Sequence, residues 1–106
     1  MHQANLGAVY NQSVGNMKEF LSSPDFGREL AIASQKTPKI YDGQSAYQAT
    51  KAIGDNIKRG DQVYLDGLHK DHLEVFDKAG RFKFVLNLDG SINDGKTRSA
   101  GQRRLK

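Results

Sequence analysis

The chain has no cysteine, which excludes disulfides and thiolate metal clusters. A small secreted domain is often stapled by disulfides, so their absence leans toward action in a reducing cytoplasm. No apolar run approaches the roughly 18 residues that a membrane-spanning helix needs, and no signal peptide is visible. P-loop, dinucleotide fingerprint and nucleophile elbow are all missing, as are internal repeats and low-complexity segments. Hydrophobic residues are scarce, at 37%, below the globular average.

What remains is 106 residues with 11 glycines. That length is read as one domain, 1–106, able to bury a modest core. The composition points to a small, turn-rich α+β unit whose surface does much of the work. The opening MHQANLG reads as the start of an excised domain. Net charge is +4, and the stretch from position 91 onward accounts for it: Lys96, Arg98, Arg103, Arg104 and Lys106 stand against Asp94 alone. Basic residues gathered at one end imply a polyanionic partner, with a solubilising C-terminus as the plainer alternative.

Helical periodicity dominates residues 1–60. Leu6, Val9, Tyr10, Val14, Met17, Phe20 and Leu21 recur at three- and four-residue steps, predicting a helix over 5–22 with one apolar face. Ser23-Pro24-Asp25 carries the capping hydroxyl, the first-turn proline and the acid of a helix start, so a second helix is expected to Ser34. Residues 35–44, with Pro38 and an Asp-Gly pair, read as a loop in which Ile40 and Tyr41 could form a short strand or plug. Ser45 can cap a third helix to Lys58 along Ala46, Ala49, Ile53 and Ile57.

From 61 the pattern alternates. Strands are predicted over Gln62–Asp66, His72–Asp77 and Phe82–Leu88, with a fourth short one within Gln102–Leu105. The short connections make an antiparallel meander. The expected architecture is therefore α+β: two or three N-terminal helices on one face of a small twisted antiparallel sheet of three to four strands.

The chemistry concentrates in residues 63–77, VYLDGLHKDHLEVFD. Strand alternation assigns Val63, Leu65, Leu73, Val75, Phe82, Phe84, Leu86 and Leu88 to the core. Tyr64, Asp66, His72, Glu74, Lys83 and Asn87 then share the opposite, polar face, with His69 at the loop lip above it. Acid, imidazole and cation on one face suit RNA cleavage: a base takes the ribose 2′-OH proton, an acid protonates the leaving 5′-oxygen, and a cation meets the phosphate. Each residue has a plainer role too. Asp66 can cap the Gly67 turn, Glu74 can pair with Lys83 across strands, Tyr64 can simply pack, and either histidine can be a solvated surface group. Asp66, His69, Asp71 and His72 could also ligate a divalent ion, but their spacing matches no strong template. The expectation is no metal and no cofactor.

The stretch YLDGLHKDHLEVFDKAGRFKFVLNLDGSIN with the later basic AGQRRL resembles the catalytic domain of ribosomal-RNA-cleaving colicins and related contact-dependent inhibition toxins. The family's tyrosine, aspartate, histidine three on, glutamate and late arginine fall here on Tyr64, Asp66, His69, Glu74 and the pair Arg103/Arg104. The match covers residues 62–105, and Glu74 lies five residues after His69 where the family pattern has four. The family's Pro-Thr-Gly turn is here Leu-Asp-Gly. The helical N-terminal part equally fits toxins of the barnase/EndoU/colicin/RelE-like fold, many of which cleave tRNA.

The resemblance implies a metal-independent ribonuclease toxin with Asp66, His69, Glu74 and Arg103 catalytic. Tyr64, His72, Lys83, Lys96, Arg98 and Arg104 would then bind a substrate that is rRNA in the ribosome or tRNA. It further implies a cognate acidic immunity protein and delivery from a producing bacterium into the cytoplasm of a target cell. The alternative is a noncatalytic RNA- or protein-binding module gripping phosphate with its basic tail.

Overall fold

The computed structural model describes residues 14–67 and 69–100. Its order is α1 (Met17–Leu21), α2 (Phe26–Ile32), β1 (Ser34–Tyr41), β2 (Gln44–Ala49), β3 (Gln62–Leu65), β4 (His72–Phe76), β5 (Phe82–Asn87) and α3 (Asp94–Ala100). The class is α+β, and the five strands form one antiparallel sheet in the order β1-β2-β3-β4-β5. No described helix is long and apolar enough to cross a membrane.

The helical expectation for 5–22 holds only over α1. Asn16 starts it, its side-chain oxygen accepting the Glu19 N–H at 2.8 Å, and Val14 donates its N–H to Lys70 O instead of continuing a helix; residues 5–13 lie outside the described residues. Ser23 does not cap α2. Its hydroxyl turns back to donate to Phe20 O at 2.5 Å, and α2 begins at Phe26 behind Asp25, which has a positive φ of 61°. Gly27 makes this tight turn possible, because a Cβ there would lie 2.2 Å from Phe20 O.

Residues 35–44 are not a loop, and 45–58 are not a helix. Asp42 and Gly43, with φ of 53° and 79°, are the two central residues of a tight hairpin turn that needs positive φ at both positions. They pair β1 with β2 from Tyr41↔Gln44 outward to Ser34↔Ala49, with a register shift between Lys36 and Ile40 that spans Pro38. The alanine and isoleucine spacing that mimics a helix is buried all the same. Ala46 and Ala49, three apart on a strand, go to opposite sides of the sheet. Ile53 and Ile57 bridge each other around Gly54 in the following loop.

The three remaining strands fall within one residue of their predicted bounds. Their inner face and the two N-terminal helices make the main core: Met17, Phe20, Phe26 and Leu30 pack on Val63, Leu65, Leu73, Val75 and Leu86. The other face is not an open polar surface. A register shift at Val75/Phe76 moves Phe82 out of the expected core row and onto a second cluster with Tyr41, Ala46, Tyr64 and Phe76. There Tyr64 and Phe76 stack at 6.0 Å and Phe82 meets Phe76 edge-on at 5.6 Å.

The basic tail begins as a helix, which the sequence reading missed. Asn93 caps α3 by accepting the Lys96 N–H at 3.0 Å. Thr97 ties the helix to β5, its hydroxyl oxygen accepting the Val85 N–H at 2.9 Å. The strand expected within 102–105 lies outside the described residues.

Candidate active site

β3 delivers Asp66 into a turn that its own side chain organises. Asp66 Oδ2 accepts the His69 N–H at 2.6 Å, its carbonyl accepts the Lys70 N–H, and its N–H donates to His72 O. The turn-capping role is therefore real, and it leaves Oδ1 directed at His72, 3.8 Å from Nε2. Gly67 is needed where the β1–β2 turn presses on this loop, since a Cβ would lie 2.4 Å from Asp42 O.

β4 then places His72 and Glu74 on one face, two residues apart. His72 Nδ1 lies 2.9 Å from Asp71 Oδ1 and Nε2 lies 3.1 Å from Glu74 Oε2. The His72 and Glu74 side chains are each only 7% exposed, whereas that of His69 is 59% exposed at the rim. His69 Nδ1 stands 3.5 Å from Asp66 Oδ2, and the two imidazole rings are 6.5 Å apart.

Both His72 ring nitrogens face carboxylate oxygens, acceptors that an imidazolium satisfies by donating from both. Burial alone would depress its pKa; the hydrogen bonds to Glu74 and Asp71 and the Asp66 charge outweigh that and raise it above the ordinary value. Asp66 moves the other way. Partial burial pushes its carboxyl up, but the His69 N–H, the His72 charge and the Lys70 N–H together hold it below the usual range.

A cleft of about 360 Å³ opens over this cluster, lined by Asp66, His69, His72, Glu74, Val85, Lys96, Ser99 and Ala100. It brings five of the predicted residues together: Asp66, His69, Glu74, His72 and Lys96. Others lie elsewhere. Lys83, the alternative cross-strand partner for Glu74, instead pairs with Asp61 and sits 5.2 Å over the Phe84 ring. Tyr64 pairs with Glu74 across the strands but belongs to the aromatic cluster. Asn87 is occupied by Ser91 and Asn93, and Arg98 is an exposed residue of α3 outside the cleft lining. Arg103 and Arg104 lie outside the described residues.

Val85 lines the cleft from the side of β5 that strand alternation turns away from the core row. Sequence reasoning missed Ser99 as a lining residue, which depends on where α3 docks, and Asp71 as a partner of His72, which was legible in the Asp-His dipeptide itself. A larger cleft of about 590 Å³ lies toward the other end of β4, lined by Gln48, Ala49, Thr50, Arg59, Gly60 and Lys78. It offers cations but no carboxylate or imidazole, so it has no group for proton transfer near neutral pH. No family model, curated protein or solved structure matches the chain.

Proposed function

We propose that the chain is a bacterial toxin ribonuclease domain that cleaves rRNA or tRNA without a metal ion. The observation that carries the reading is the meeting of Asp66, His69, His72, Glu74 and Lys96 around one open cleft. Glu74 takes the ribose 2′-OH proton as the 2′-oxygen attacks the adjacent phosphorus. The P–O5′ bond breaks, and His69 at the rim, oriented by Asp66, gives a proton to the leaving 5′-oxygen. The products are a 2′,3′-cyclic phosphate and a 5′-hydroxyl. The His72 imidazolium and Lys96 balance the charge that builds on the phosphate oxygens. Arg103 and Arg104, which follow in sequence, add phosphate contacts, and Arg98 extends the basic surface.

What supports RNA as the substrate is the likeness of Tyr64, Asp66, His69 and Glu74 to the ribosomal-RNA-cleaving colicins, together with the basic C-terminal stretch. The same reading brings an acidic immunity protein in the producing cell and delivery into a target cell's cytoplasm.

The test is incubation with total RNA in EDTA. Discrete fragments ending in cyclic phosphate are expected. Glu74→Gln should slow their appearance by about 10²–10⁴-fold, the range for loss of a general base, and His69→Ala should also impair it. Intact RNA that still binds would sink the enzyme reading in favour of a noncatalytic RNA-binding module.

A further inference from the structure

The cluster beneath the cleft has the geometry of a metal site. His72 Nε2 lies 3.1 Å from Glu74 Oε2 and 3.8 Å from Asp66 Oδ1, and one ligand atom from each residue lies within 4.8 Å of the others. Two ligands bound at about 2.0–2.1 Å to a tetrahedral ion sit about 3.3 Å apart. The two separations made by His72 bracket that edge, and the Asp66 and Glu74 oxygens lie within 4.8 Å of each other, so the three groups already surround a position for one ion.

The surroundings fit as well. Histidine ligands of metals commonly give their second ring N–H to a carboxylate, which fixes the tautomer and aims the free nitrogen. Asp71 stands in that position, 2.9 Å from Nδ1. Asp66 is held in place through its other oxygen by the His69 N–H, and the His72 and Glu74 side chains are both buried. Two carboxylates and an imidazole, with no sulfur, suit a divalent ion of the zinc class. The cleft above leaves room for a further oxygen ligand.

We propose that His72 Nε2, Glu74 and Asp66 bind one zinc-class divalent cation, with Asp71 as the outer carboxylate, and that occupancy switches off the metal-free cleavage. The ion would replace the His72–Glu74 hydrogen bond and tie up the carboxylate needed as base. Binding stands on the geometry alone; inhibition rests on the ribonuclease reading.

The full chain, stripped with EDTA and freed of chelator, is titrated with zinc chloride by calorimetry and with cobalt(II) by visible absorption. One ion per chain is expected, with the intense visible bands of four-coordinate cobalt. Asp71→Asn removes no ligand atom and should weaken zinc binding by about 10–100-fold, as loss of an outer-shell partner does. Glu74→Gln should abolish the tight site, and His69→Ala should retain it; circular dichroism checks that each variant is folded. No binding, an unchanged affinity in Asp71→Asn, or loss in His69→Ala overturns the site.

RNA cleavage is then followed in EDTA and with zinc added. Cleavage in EDTA that zinc stops supports both halves of the proposal. Cleavage that zinc leaves unchanged overturns the switch, and cleavage that requires zinc overturns both the switch and the metal-free reading. A protein inactive under either condition sinks the ribonuclease reading, with the site still judged by the two titrations.

Discussion

At His72 burial opposes the charged form, and the carboxylates of Glu74, Asp71 and Asp66 favour it and prevail. That balance links stability to pH. The His72 pKa is raised above the ordinary 6.5, so the stabilisation is fully present below about pH 6.5 and is lost as pH rises through the higher folded value. Asp66 has the opposite sign. Its pKa is lowered from 3.8, so its contribution is complete above that pH and is lost as pH falls through the lower folded value. Asp77, held down first by the Arg81 N–H, adds to the same acid limb. The melting temperature is therefore expected to be highest between roughly pH 4 and 6.5 and to fall on both sides. Removing the imidazole in His72→Gln should flatten the alkaline limb relative to the parent. An alkaline decline of unchanged steepness in thermal melts would refute the assignment.

Among the elements, the turns carry the function as much as the strands do. The hairpin at Asp42-Gly43 presses on the loop after Asp66, and Gly67 is the residue that allows the contact. A methyl group there meets backbone, which cannot swing away as the end of a flexible side chain can. Gly67→Ala should destabilise the fold by about 1–3 kcal/mol and lower RNA cleavage even at temperatures where the protein is fully folded, because Asp66 and His69 shift together. Urea unfolding and initial cleavage rates of the same sample separate the two effects. A normal rate in the folded variant would mean that the turn does not position the site. α3 matters for a different reason: it is anchored to Val85 through Thr97 and Asn93, and that anchor brings Lys96 to the cleft.

At the scale of the whole molecule, the sheet separates stability from chemistry. One face carries the core built on α1 and α2. The other is divided between an aromatic cluster and the acid–imidazole cluster. Phe20, 1% exposed in the main core, lies on the helical side and lines neither described cleft. Phe20→Ala should cost about 3–5 kcal/mol and lower the denaturation midpoint, while the pH profile of cleavage by the remaining folded protein stays that of the parent. A displaced profile would show that core and site are coupled.

The strands from Gln62 onward were legible because short runs that place Val63 and Leu65, Leu73 and Val75, and Phe84, Leu86 and Leu88 at two-residue steps are separated by turn residues, and a period of two points to strands. The same alternation placed His72 and Glu74 together on one side, and Asp-His-Leu-Glu is enough to predict that pairing. The region 45–58 was misread because alanine and isoleucine at three- and four-residue steps also fit a helix, and 35–44 because Pro38 and Asp42-Gly43 are loop signals as well as hairpin signals. Hairpin formation at Asp42-Gly43 and pairing with β3 overrode local propensity. Local pattern thus determined the central strands and the residues available for chemistry. Only tertiary structure decided which of them meet: the register shift at Val75/Phe76 buried Tyr64 and Phe82 together, Asp61 drew Lys83 away, and the docking of α3 supplied Lys96. These outcomes depend on contacts between residues distant in sequence, whose free energies no local pattern contains.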